Sequence, residues 1–249
     1  MCGRYCITSA PEAIRALFRY REQPNFPARY NVAPTQPVPI VRMAEGDREF
    51  ALVRWGLIPA WVKDPKGFSL LINARAESVN DKPAFRNAMK RRRCLIPADG
   101  FYEWNDQGGR KRPYVVRPRA GGPIAFAGLW ESWMGPNGEE METAAIITTE
   151  ANSDVAHIHH RMPVIIPQEA FDLWLDPNVD IETATALIAP APAGLLEAYE
   201  ISTAVNRVVN DSPALLDAAQ ADMEPAPGAP LSPKSGKKPK KDERQASLF

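Results

Sequence analysis

Four apolar, strand-like segments follow one another between residues 93 and 150, with no helical pattern separating them: RCLIP (93–97), PYVVR (113–117), PIAFAGLWE (123–131) and ETAAIITTE (142–150). PNGEE (136–140) marks the turn between the last two. VPIVRM (38–43) and FALVRW (50–55) form a similar pair upstream, joined by a polar turn. Neighbouring parallel strands need a crossover of a dozen or more residues, usually a helix. Strands in runs, rather than in βαβ alternation, therefore predict an α+β domain with an antiparallel or mixed β-sheet core and flanking helices. Helices are expected from Pro11 to about Phe18, capped by Ser9, and over 83–92, with Pro83 in its first turn. Further helices are expected near 151–158, 168–175 and 181–188. PVIIP (163–167) reads as a short buried strand and YEISTAV (199–205) as the closing one.

With 45% hydrophobic residues in 249, the chain can bury a real core. Composition changes near residue 220. MEPAPGAPLSPKSGKKPKKDER (223–244) has almost nothing apolar to bury, so the expected division is a domain over 1–220 and a disordered tail over 221–249. No stretch of about 18 apolar residues predicts a membrane helix, and the N-terminus has no basic–apolar leader pattern. Cys2, Cys6 and Cys94 do not make a disulfide framework and suit a reducing cytoplasm. Net charge is zero, with +2 on the tail and −2 on the remainder. Nucleic-acid binding would then need a local groove rather than a whole-surface field.

Four polar islands interrupt this pattern. The chain opens MCGR, and Cys2 is small enough for Met1 to be removed, leaving an α-amine and a thiol on one residue. LLINARAE (70–77) sets Asn73, Arg75 and Glu77 in an apolar run; ADGFYEW (98–104) sets Glu103 between aromatics; HIHHRMP (157–163) holds all three histidines. Each has an ordinary structural use. Asn73 suits a turn, Glu103 a wet strand face, and the histidines a helix C-terminus. The Cys and His spacings match no standard zinc site, so no metal and no cofactor are expected.

Taken together and in order, MCGR, LINARAE, ADGFYEW, IHHRMP and a late VNRVVND (205–211) resemble the SOS response-associated peptidase (SRAP) family of abasic-site processing proteins. The resemblance implies binding to single-stranded DNA at an abasic site and a covalent thiazolidine crosslink through Cys2. It also implies that Asn73 orients Cys2, that Glu103 and His159 handle protons, and that the protein works as a monomer in the cytoplasm on nucleoid DNA. Within the matching segments, Arg4, Arg75 and Arg161 are the expected phosphate contacts. Trp61 and Trp104 are expected to stack on bases flanking the lesion or to wedge beside it, with burial in the core as the ordinary alternative for both. The family label further implies N-terminal self-processing, and a Schiff base at the sugar permits AP lyase chemistry.

The residue types suit that chemistry. An abasic sugar opens to an aldehyde, an α-amine of ordinary pKa near 8 attacks it, and the thiol of the same residue closes a five-membered ring. The terminal QASLF resembles a bacterial sliding-clamp-binding pentapeptide, with Gln245 at the pocket rim and Leu248 and Phe249 inside; Ala246 departs from its usual Leu. The rival reading is an N-terminal-nucleophile amidohydrolase, glutaminase-like, that uses the Cys2 thiol for attack and its amine as base. A clamp adaptor without catalysis is a second rival, and it leaves the polar islands idle.

Overall fold

The pair of strands at 38–43 and 50–55 forms one hairpin, Pro37–Ala44 with Asp47–Trp55, in which each strand is longer than its segment predicted. Its two-residue turn, Glu45–Gly46, has positive φ at both positions (51° and 88°). Such a turn matches the right-handed twist of the strands it joins. In a computed structural model that describes residues 2–219, this hairpin belongs to a mixed α+β fold. The clamp-motif residues Gln245, Leu248 and Phe249 lie outside the described residues.

The elements are β1 (Tyr5–Ile7), α1 (Pro11–Phe18), β2 (Arg29–Val32), β3 (Pro37–Ala44), β4 (Asp47–Trp55), β5 (Asn73–Arg75), α2 (Arg86–Arg91), β6 (Arg93–Ala98), β7 (Gly100–Gln107), β8 (Arg110–Pro118), β9 (Ile124–Met134), β10 (Glu140–Glu150), β11 (Arg161–Pro163), β12 (Ile165–Ile166), α3 (Phe171–Leu175), α4 (Ile181–Ala186) and β13 (Leu196–Glu200). Strands β10, β4, β3, β6 and β9 pair in that order, and β9 pairs back to β10, closing a barrel. Closure removes the exposed edges that an open sheet of these apolar strands would present. A second sheet runs β13-β8-β7-β1-β2. Aromatic contacts join the two: Tyr5 of β1 meets Trp55 and Phe126 edge-on at 5.4 and 6.0 Å, and Phe101 of β7 meets Phe126 at 6.0 Å.

β10 positions the site. Past the barrel, Ile146–Thr148 pair in parallel with β5, and Thr148–Glu150 pair with β11. Because strand partners lie on opposite sides, Arg75 and Arg161 flank the end of β10. The helices sit outside the barrel, with Phe18 of α1 stacked on Phe171 at 5.2 Å and the Trp174 indole donating to the Cys94 carbonyl at 2.9 Å.

Several local expectations are corrected. Ala10, not Ser9, is the N-cap of α1; Ser9 instead bonds Asp99 through its hydroxyl and its backbone N–H (2.8 Å). The helix expected from 83 begins at Arg86, because Lys82 and Phe85 first close a turn (2.9 Å). Residues 153–158 form turns rather than a helix. PVIIP divides between β11 and β12, and YEISTAV is strand only to Glu200, with a 3-10 turn over Thr203–Asn206. β1, β2 and β5 are too short for a periodicity to show; their partners make them strands.

Candidate functional site

The chain is in the core from the first residue described: Cys2 is fully buried. Its backbone runs into β1 through Arg4, whose carbonyl accepts from the Tyr102 N–H at 2.9 Å, so the terminus is registered against β7. Asn73 reaches it from β5: the Asn73 Nδ2 donates to the Cys2 carbonyl at 2.8 Å. That segment is itself held by the buried Trp55 indole, which donates to Ile72 O at 3.0 Å. The Asn73 Oδ1 is buried and has no hydrogen-bond partner. An unpaired buried acceptor costs on the order of 1–3 kcal/mol, which a substrate donor would relieve.

Glu103 of β7 is 2% exposed. Burial pushes its carboxyl up to about 7, although the positive charge of the amino terminus and its hydrogen bond pull the other way. The same burial, reinforced by the Glu103 charge, holds the Cys2 thiol far above its ordinary range, so sulfur is a thiol and not a thiolate at neutral pH. His159 is half-buried, and burial together with the amino-terminal charge lowers it to about 4. Its Nδ1 accepts the Arg161 N–H at 3.0 Å, which leaves the neutral ring's proton on Nε2. The amino terminus therefore acts electrostatically on Cys2, Glu103 and His159 alike. Asn105 ties the last two segments together, donating from Nδ2 to the His157 carbonyl at 2.7 Å.

The expected DNA contacts divide into groups. Arg75 is exposed at the end of β10. Arg161 is buried and oriented by protein: it forks onto Glu77 at 2.5 and 3.1 Å and donates to Thr148 O at 2.6 Å. Arg4 donates to Asn31 Oδ1 at 2.7 Å and to Val205 O at 2.9 Å. Trp104 is half-buried, its indole donating to Asn206 Oδ1 at 2.8 Å. Trp61 is 60% exposed on a separate turn, edge-on to Phe68 at 5.7 Å, and is not the core residue its size would suggest. His160 stacks on His159 at 4.4 Å. Among the described residues no group of three or more His, Cys, Asp or Glu side chains could hold a metal.

Asn31 lies in none of the motifs read from the sequence. It is fully buried, and its amide bonds Arg4 and the carbonyls of Val205, Arg207 and Asn210 (3.2, 3.1 and 2.7 Å). The one available signal was VNRVVND, the segment it holds.

Comparison with known proteins gives one consistent answer. The sequence profile of the family described as SOS response associated peptidase (SRAP) matches residues 1–208. The abasic site processing protein YoaM of Bacillus subtilis is 40% identical over 88% of this chain and 98% of its own. The abasic site processing protein HMCES of Gallus gallus is 31% identical over 87% of this chain and 77% of its own. A crystal structure of a protein from Bacteroides thetaiotaomicron superimposes with a TM-score of 0.81 at 28% identity, covering 88% of this chain and all of that one.

Proposed function

The chain belongs to the SOS response associated peptidase family, and from that premise we propose that it binds abasic sites in single-stranded DNA and captures them covalently on Cys2. The observation that carries this reading is a fully buried Cys2 whose carbonyl is bonded by Asn73 and whose thiol feels the charge of buried Glu103.

Removal of Met1 frees the Cys2 α-amine. Neutral His159 uses its Nε2–H to bond the sugar's ring oxygen, favouring the open aldehyde. Glu103, near half-ionised at neutral pH, accepts the proton of the amine as nitrogen attacks the carbonyl carbon. The carbinolamine loses its hydroxyl as water, with Glu103 returning the proton, and an iminium remains. The Cys2 sulfur then adds to the iminium carbon, the C=N electron pair returns to nitrogen, and the thiol proton leaves to solvent, replacing the one that made the carbonyl oxygen a hydroxyl. One C–S and one C–N bond replace the carbonyl, one water leaves, and the product is a thiazolidine. Because the buried thiol stays protonated, nitrogen attacks first and sulfur closes the ring. Asn73 fixes the Cys2 carbonyl so that amine and thiol face one direction. Fast ring closure suppresses the β-elimination open to the same iminium, so AP lyase activity is the minor outcome. Self-processing extends no further than Met1.

The tail contributes recruitment: Gln245, Leu248 and Phe249 would seat in a sliding-clamp pocket at the end of a tether.

The test is intact mass after mixing the protein with single-stranded DNA carrying one abasic site. The expected result is an adduct of protein lacking Met1 plus DNA minus one water, mapped to Cys2. Undamaged DNA and Cys2→Ala protein should give none. No adduct from protein with a confirmed Cys2 terminus would overturn the reading in favour of an amidohydrolase, to be assayed with glutamine.

A further inference from the structure

VNRVVND is the one matching segment to which the crosslinking chemistry gives no task. Residues 207–210 form a β-turn, with the Asn210 N–H bonded to Arg207 O at 3.0 Å, and Val208 and Val209 are its central residues. Such positions favour Gly, Asn, Asp or Pro, and β-branched side chains suit them poorly. Both valines are nevertheless exposed, Val209 to 78% and Val208 to 40%, so they serve no core.

The turn is also unusually firmly held. Asn31 bonds two of its carbonyls, Arg207 and Asn210, and that of Val205 just upstream, Asn210 Nδ2 reaches back to Ala204 O at 2.8 Å, and Asp211 accepts from Arg29 Nε at 2.8 Å. Two bonds join the residues just before it, Val205 and Asn206, to segments of the candidate site. Arg4, two residues after Cys2, donates to Val205 O, and Asn206 Oδ1 accepts from the indole of Trp104, the residue after Glu103 on β7. An apolar tip on a rigid, locally unfavourable turn, one side chain from a stacking aromatic, has the physical character of a wedge.

We propose that the Arg207–Val208–Val209 turn is a further DNA-contacting element, in which the two valines press against the base next to the abasic site and exposed Arg207 meets a backbone phosphate. This rests on the abasic-site reading above and adds to it a residue-level determinant of how the flanking strand is held. The occupant is a nucleotide rather than a second protein, because the apolar area is small, is bordered by Arg207, and continues directly into Trp104. Two adjacent valines are enough to unstack one base step and too few for a stable protein interface.

The experiment uses the full chain, an abasic single-stranded oligonucleotide with 2-aminopurine next to the lesion, and the V208S/V209S variant. Wild-type binding should brighten 2-aminopurine by unstacking it. The double variant should lose most of that change and bind about fivefold more weakly. V208I/V209I should retain both. Arg207→Ala should lower the slope of log Kd against log salt by about 0.7. Thermal midpoints should stay at wild-type values, and if the double variant's midpoint falls, Val209→Ser alone carries the test. Unchanged fluorescence and affinity in the serine variants would overturn the proposal while leaving the Cys2 adduct intact. A loss of self-association in those variants would also overturn it, assigning the turn to a protein interface. Absence of any abasic-dependent adduct in the wild type would instead remove the reading on which it rests.

Discussion

Glu103 shows how one residue joins stability to chemistry. Its folded-state carboxyl is raised to about 7 by burial, from an ordinary value near 4.5. Between those values the folded chain holds more protons than the unfolded one, so this group's contribution to stability falls as pH rises through that window. Replacing it with glutamine should therefore stabilise the protein at pH 8 by on the order of 2 kcal/mol and change little at pH 4. Urea unfolding at the two pH values checks this. The same substitution should abolish the rise in crosslinking rate through pH 7 expected of wild type. A variant that keeps that rise would assign it to the amine alone. His159 contributes in the opposite sense: its value is lowered, so the stability it supplies is present above about 6.5 and is lost as pH falls toward 4.

Among the elements, β7 carries the greatest demand, since it supplies Glu103 and Trp104 and pairs with both β1 and β8. Its first residue is Gly100, where an added Cβ would lie 2.8 Å from the Val116 carbonyl oxygen and 3.2 Å from Arg117 Cβ. The closest of these is backbone of a paired strand and cannot turn aside. Gly100→Ala should therefore cost about 2 kcal/mol and slow crosslinking by displacing β7. Chemical denaturation beside a single-turnover crosslinking assay measures both, and an unperturbed midpoint would show that β8 yields. The element errors in reading the sequence share a physical origin. The segments 153–158 and 201–205 carry helix-like or strand-like residues, yet distant partners hold them: the Asp154 carboxylate accepts from Gly194 N–H at 2.9 Å, and Val205 O accepts from Asn31 Nδ2 at 3.2 Å. Local preference there yields to tertiary contacts. Long apolar strands such as β9 and β10 resisted that competition and were legible almost to their ends.

For the whole molecule, the family profile ends at residue 208, and the hydrogen-bonded fold described above is complete by Ala218, which bridges to Ile201. The candidate site draws only on residues before that point. Removing residues 245–249 should leave the abasic-site adduct and thermal midpoint unchanged and abolish retention on an immobilised bacterial sliding clamp. Undiminished retention would reject the role given to Gln245, Leu248 and Phe249. The near-neutral net charge has a consequence at this scale too. Without a basic field, the DNA affinity proposed above rests on a few placed cations such as Arg75 rather than on the surface at large.

The sequence by itself determined the kind of fold and the chemical inventory. Runs of apolar strands exclude βαβ alternation, and a processed Cys2 supplies amine and thiol on adjacent atoms whatever surrounds it. Those properties are local, carried by periodicity and covalent structure. Only the tertiary structure decided that the strands close into a barrel, that β10 holds β5 with Asn73 on one side and β11 with Arg161 on the other, and that Glu103 is buried enough to titrate near 7. It alone placed Asn31 beneath the 205–210 segment. Pairing partners, burial and electrostatic environment arise between residues far apart in the chain, so no window of sequence contains them.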